Sequence, residues 1–237
     1  TVLLAGDAAG YIDSTGANLP DNAIGAPDLS AINGSIFLKS GETGFNTFAD
    51  INLDSVVNAT DKDFATANRT DNTGAAGRIR PVFPAFKQSK KEPAGSNEDA
   101  RISFGSVPDK EIRPGESFDV DVRVSGANAV RTYEVHVSYD STKLAVEGVV
   151  SSGTLLRDYL TDMAVRVLNG EIGLANSILG RTPIGGSGDG SLATIRFRAI
   201  RRGSETRVAL RDAMLIDIDH VGVKPKHPMS ILAEAYR

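Results

Sequence analysis

The sequence predicts a mostly β protein with a small α-helical domain at its front, and three observations carry that reading. After residue 100, apolar residues recur at every second position, as in Phe118-Asp119-Val120-Asp121-Val122-Arg123-Val124 and Tyr133-Glu134-Val135-His136-Val137-Ser138-Tyr139, the period of antiparallel strands with one buried face. Residues 1–78 lack that period and hold ten acids against four bases, a net charge of −6 where the whole chain carries −4. Between them, Gly74 to Asp99 collects Pro81, Pro84, Pro93, Lys87, Lys90 and Lys91, a linker composition. The expected division is a calcium-binding domain over 1–78, a Pro/Lys-rich linker arm over 79–99 and a β-sandwich over 100–237. Within the arm, Ile79 to Phe86 alternates apolar residues with prolines, which forbids helix and favours an extended segment that can lie on a neighbouring surface.

In the front domain, Asp50-Ile51-Asn52-Leu53-Asp54-Ser55-Val56-Val57-Asn58-Ala59-Thr60-Asp61 puts oxygen-bearing side chains at positions 1, 3, 5, 9 and 12 of a twelve-residue loop. A hard cation needs six or more oxygens, and this register offers Asp50, Asn52, Asp54, the Val56 carbonyl, Asn58 and Asp61. Val57, at position 8, is free to pair with a partner loop, and a short helix is expected over Asp61 to Asn68. Two positions depart from the usual EF-hand: Asp61 replaces the closing Glu, and Ser55 stands where the sharp turn asks for Gly. A second copy lies upstream, with Asp28 at position 12, Ile24 at 8, Ala23 at 7 and Asp21 at 5. Strict counting then puts Ala17 and Leu19 at positions 1 and 3, where neither offers a side-chain oxygen. An insertion over Gly10 to Pro20 repairs this if Asp7 is the first ligand, with Asp13 as a spare.

The pattern D-x-N-x-D-x-x-V-N-x-x-D followed by a helix resembles the duplicated repeat of dockerin modules. That resemblance implies an EF-hand-like, dockerin-like module holding one or two Ca2+ ions. An acidic domain of this size without cysteine has little core, and a bound ion is one of the few staples left to it. At a hundredfold excess over its dissociation constant, calcium adds about 2.7 kcal/mol.

The rear half divides into strands at Phe118–Val124, Tyr133–Tyr139, Leu144–Val150, Met163–Leu168, Glu171–Ser177, Ser191–Ile200, Arg207–Leu210 and Ala213–Ile218, with a turn at Ser125-Gly126-Ala127-Asn128. Short strands at this spacing form a sandwich, whose core should come from Val120, Val122, Val124, Val135, Val137, Leu144, Ile172, Leu174, Leu192, Ile195 and Phe197. Three phrases, G-E-S-F-D-V-D-V-R-V-S-G, Y-E-V-H-V-S-Y-D-S-T-K-L and G-S-L-A-T-I-R-F-R-A, resemble cohesin modules in type and order over about residues 100 to 225. That family binds through a sheet face.

Catalysis lacks its usual parts. With no Cys, thiolate zinc sites and cysteine nucleophiles are excluded, and His136, His220 and His227 have no partner at metal spacing. His136 is expected on the outward face of its strand and His220 on the polar face of an edge strand. Gly185 to Gly190 precedes a strand rather than a helix, so it reads as a hairpin loop and not a phosphate cradle. The absence of Trp argues against a carbohydrate-binding platform, and the acidic total charge argues against nucleic acid. No apolar run reaches the eighteen residues a membrane span needs.

The sequence-level expectation is therefore a non-enzymatic, secreted, calcium-binding structural protein. By the two resemblances, the front module of one copy can dock on the sandwich of the next, giving an open head-to-tail filament. The alternative is an adaptor that binds a different cohesin- or dockerin-bearing protein, and a third arrangement clamps the two modules within one chain. The terminal segments Thr1 to Leu4 and Ile231 to Tyr236 are expected to add strands to a neighbour's sheet, and the apolar opening suggests that sequence once preceded Thr1. Sequons at Asn33, Asn58 and Asn68 are candidate glycan acceptors, Asn58 competing with its place in the calcium loop.

Overall fold

The computed structural model describes residues 8–12, 18–20, 23–69, 97–105, 112–180, 184–201, 206–226 and 231–233. The expected ligands Asp7, Asp13 and Asp21, the arm over Ile79 to Phe86, Thr1 to Leu4 and His227 lie outside the described residues. The architecture is a mostly antiparallel β-sandwich with two small helices.

The front segment contains a short hairpin, β1 (Gly10–Ile12) and β2 (Asn18–Pro20), then α1 (Ala26–Ser35) and α2 (Ala59–Asn68). Pro27 fits the first turn of α1, where its missing N–H costs nothing, and Asp28 accepts the Gly25 N–H at 2.7 Å. At the entry of α2, Asn58 accepts the Thr60 N–H at 2.7 Å while Asp61 accepts the Asn58 N–H at 2.9 Å, a reciprocal cap that contributes about 1 kcal/mol. Ten-residue helices are marginal alone. Their stability must come from what they pack on.

The sandwich comprises β3 (Arg101–Phe104), β4 (Ser117–Tyr139), β5 (Leu144–Ser151), β6 (Thr161–Leu168), β7 (Glu171–Ile178), β8 (Gly186–Ala199), β9 (Thr206–Asp217), β10 (Gly222–Val223) and β11 (Ile231–Ala233). Its key element is β4, 23 residues long, which serves both sheets. Residues Ser117 to Val130 pair with β8 and Val122 to Ser125 with β3, while Val130 to Tyr139 pair with β9 and Thr132 to Ser138 with β7. The turn expected over Ser125 to Asn128 is instead a corner inside one strand. Shifts of register between Val124, Ala127 and Val130, with Gly126 and Ala129 at φ 67° and 47°, bend the chain from one sheet to the other without ending it. β9 likewise runs unbroken where two strands were expected. Residues 186–190, expected as a hairpin loop, are the first part of β8, with Gly186, Gly188 and Gly190 opposite Val130, Ala127 and Val124.

All eleven expected core residues are buried, and they join Ile102, Phe118, Tyr133 and Leu215 in one cluster between the sheets. A second cluster lies outside the sandwich. Leu29, Ile32, Ile36, Val57, Ala59 and Ala65 from the front segment pack against Ala164, Ala175 and Ile216 on the sheet ordered β9–β4–β7–β6. Asn97–Asp99, the last residues of the expected linker, form a 3-10 turn tied to the sandwich by two hydrogen bonds between Asn97 and Asn128. No helix among the described residues is long and apolar enough to cross a membrane.

Candidate functional site

The outer face of this sheet is covered by the helices, and the strand sequences explain how. β7 places Ile172, Leu174 and Ile178 inward, and its outward residues are Gly173, Ala175 and Ser177, all small and all buried. Small side chains let a helix approach the sheet closely. On β4 the outward residues are Thr132, Glu134 and His136; on β9 they are Asp212, Met214 and Ile216, in register opposite them. β6 adds Asp162 and Ala164, opposite Ser177 and Ala175.

Against this face lies α2, whose sequence A-T-D-K-D-F-A-T-A-N carries no apolar stripe, yet nine of its ten residues are buried. A buried charge is tolerated only when paired, and Lys62 and Asp63 both are. Asp63, 1% exposed, accepts the Thr132 hydroxyl at 2.6 Å, sits 3.2 Å from Arg131 Nε and lies 2.5 Å from His220 Nδ1. Arg131 also donates to the carbonyls of Ile178 and Gly180. Lys62, with no exposed side chain, is ion-paired to Asp162, which also accepts the Asn33 amide at 3.0 Å. Burial pulls the Lys62 ammonium below its usual range, and Asp162 opposes that fall. Thr66 and Ser177 share a hydroxyl bond of 2.7 Å, and Glu134 accepts the Ala59 N–H at 2.8 Å.

Two histidines, His136 and His220, contribute to this interface. His136 is outward as expected, 2.6 Å from Glu134 and edge-on to Phe37 with ring centroids 4.8 Å apart. Burial lowers its affinity for a proton, but the Glu134 hydrogen bond and the charges of Glu134, Asp212 and Glu171 outweigh that and leave its pKa raised. His220 is not on a strand; it sits in the turn after β9 at φ 61°, where its ring reaches Asp63. Sequence reasoning missed Lys62, Asp63, Arg131 and Asp162, because nothing in their spacing announces that they meet across the fold. The alternation Gly173, Ala175, Ser177 was the available signal for a covered outer face.

The two loops of the front segment share one geometry. Asp61 Oδ1 accepts the N–H groups of Ile51 and Asn52 at 2.7 and 3.2 Å. Asp28 Oδ1 accepts those of Ala8 and Ala9 at 2.8 and 2.9 Å. Each carboxylate then takes, through Oδ2, the N–H three residues before it. Ala8 and Ala9 therefore stand where Ile51 and Asn52 stand, Asp7 is the residue before them as Asp50 is, and the β1–β2 hairpin occupies the extra length. Ala23 is exposed and Ile24 fully buried, as Val57 is. Val57 exchanges backbone hydrogen bonds with Phe37 and Leu38, at 2.6 and 3.0 Å.

In the second loop, Asp50 accepts from the N–H groups of Asp54 and Ser55, Asn52 from Asp54, and Asp54 from Val56. Ser55 takes φ 72° and Leu53 φ 59°, the left-handed region that a side chain makes costly. Ser55→Gly is expected to raise stability by roughly 0.5–1 kcal/mol in urea denaturation; a fall would mean that the turn does not depend on this angle.

As a test of fit to calcium, both carboxylate oxygens of Asp61 are taken up by backbone N–H groups. Among the described residues no group of three or more His, Cys, Asp or Glu side chains converges as a metal site. The acids close the loop by hydrogen bonds. The glycan expectation meets a similar obstacle. Asn68 is 2% exposed, and Asn33 uses both ends of its amide, donating to Asp162 and accepting from Lys62. In this arrangement neither is open to a sugar.

The described residues thus form a β-sandwich, one outer face of which is covered by a helix pair. Residues 104–222, half of the chain, match the model of the Cohesin domain, and the chain belongs to that family. Cohesin domains are interaction domains rather than catalytic ones. Among solved structures, the non-cellulosomal cohesin of the archaeon Archaeoglobus fulgidus is 28% identical, with 54% of this chain and 86% of that one covered at a TM-score of 0.45. A type II cohesin module of the ScaA scaffoldin of Acetivibrio cellulolyticus is 17% identical, with 59% and 96% covered at 0.48. A type I cohesin–dockerin complex of Clostridium thermocellum gives 18%, 57% and 98% at 0.47. No curated protein matches the chain. The family match begins at residue 104, so the helix pair lies outside it.

Proposed function

We propose that this chain is a non-catalytic binding protein whose β9–β4–β7–β6 face receives a dockerin-type helix pair, and that its own front segment is such a pair. The observation that supports this most strongly is the paired burial of Lys62 and Asp63 against Asp162 and Arg131. Two oppositely charged helix residues, each matched across the sheet, are the mark of a specific docking contact and not of accidental collapse. The reading carries an extracellular location, typical of cohesin scaffoldins.

Closed within one chain, the contact is a clamp. A linker of about 25 residues supplies an effective concentration on the order of millimolar, so a free dockerin-bearing partner competes poorly until the clamp opens. Made between copies, the same surfaces give head-to-tail chains. The adaptor role is the case in which a foreign helix pair, or a foreign cohesin face, takes the place of the internal one.

The test is to cut the chain once within residues 70–96 through an engineered protease site. The two pieces are expected to co-elute at micromolar concentration and to separate on dilution, and an added dockerin module should bind the cut chain better than the intact one. Pieces that separate at 10 µM or above would refute the docking. Sedimentation of the intact chain distinguishes the two closures, a clamp staying monomeric and head-to-tail association growing with concentration. Added calcium is expected to raise Tm, and Asp50→Ala with Asp54→Ala to abolish the rise. Without that rise, the loop is closed by hydrogen bonds alone.

A further inference from the structure

We infer that Gly173 and Phe37 are the specificity pair of this contact: bare backbone at 173 forms a notch for an aromatic ring carried between the two docking helices. The inference rests on the docking reading above. Gly173 lies in the middle of β7, opposite His136 on β4, and glycine in a strand interior weakens it unless something approaches closely. Its backbone is not in the left-handed region, so the strand conformation does not call for glycine. What excludes a side chain is the ring. A Cβ at 173 would stand 2.4 Å from both Cδ2 and Cε2 of Phe37.

The ring is itself held at a cost. Phe37 follows the last turn of α1 at φ 64°, the place where a helix normally ends on glycine or asparagine because a bulky residue is strained there. Strain of that kind persists only where the surroundings over-determine it. Here the Phe37 N–H is fixed on the Val57 carbonyl at 2.6 Å, and the ring is flanked by His136. His136 is in turn held by Glu134, whose other oxygen caps α2 through the Ala59 N–H. One aromatic wedge thus links the end of α1, the start of α2 and two strands of the face. A competing ligand for this face must present an aromatic side chain on the connection between its helices, and a face with any side chain at 173 will refuse it.

The experiment is amide hydrogen exchange of α2 in the full chain, with Gly173→Ala, Phe37→Ala and the double variant. Gly173→Ala is expected to accelerate exchange of α2 by about tenfold. In the Phe37→Ala background, where no ring remains to be struck, the same substitution should change exchange less than about twofold. Equal acceleration in both backgrounds would show that glycine serves β7 itself, and unchanged protection in Gly173→Ala would show that there is no notch; either overturns the pairing while leaving docking intact. If Gly173→Ala unfolds the sandwich, Phe37→Ala must rescue it, and failure to do so also overturns the pairing. An unprotected α2 in the unsubstituted chain removes both the docking and the pair.

Discussion

Asp63→Ala is expected to cost about 3–5 kcal/mol and to loosen α1 and α2 from the sheet while leaving the sandwich folded. The magnitude follows from what is left behind. Arg131 is 2% exposed and keeps the carbonyls of Ile178 and Gly180, but loses the Asp63 carboxylate, and removing one member of a buried ion pair is costly. Thr132 and His220 lose their acceptor as well. Replacing the pair together, with Asp63→Leu and Arg131→Met, should recover more than half of the loss, because removing both charges also removes their desolvation. The measurement is thermal unfolding followed separately by exchange of α2 amides and of β4–β7 amides. Coincident loss of both in Asp63→Ala would show that the helices and the sandwich unfold as one unit, contrary to a docked pair.

The second large effect is a pH dependence of unusual sign. The Asp61 carboxyl, fully buried, is raised from 3.8 to about 7, because burial outweighs the hydrogen bonds from the N–H groups of Asn58, Asn52 and Ile51. Its proton is therefore held more tightly in the folded chain than in the unfolded one. Stability from this group is fully present below about pH 4 and is lost as pH rises to about 7. The difference amounts to about 4 kcal/mol. Ordinary salt-bridged carboxylates slope the other way. Asp61→Asn should flatten this part of the profile in urea denaturation at pH 4.5, 6 and 7.5; parallel curves for the two proteins would mean that Asp61 titrates as it does in the unfolded chain.

Much of the fold could be read before any coordinates. Period-two alternation in Phe118–Val124 and Tyr133–Tyr139 identified the inward residues of β4, because a pleated strand sends successive side chains to opposite faces. It could not show that one strand joins the two sheets. Residues 125–128, Ser-Gly-Ala-Asn, read as a turn, and only pairing partners on both sides keep such a stretch extended. The spacing over Asp50 to Asp61 and its upstream copy read as calcium loops, whereas in the structure Asp61 and Asp28 each accept the N–H three residues before them at a helix start. That the upstream copy returns to Ala8 and Ala9 depended on where Asp28 reached.

The interface was the least legible part. Lys62 and Asp63 read as ordinary solvated charges on a short helix, and their partners Asp162 and Arg131 are about 100 and 68 residues away in the chain. Sequence alone indicated where most strand residues lie and which of them face inward, because those depend on neighbours a few residues apart. Which charges are buried, which ring fills the space above Gly173 and which face of the sandwich is covered were decided only by tertiary structure. The free energy of a buried charge belongs to its partner in space, and local spacing does not encode that partner.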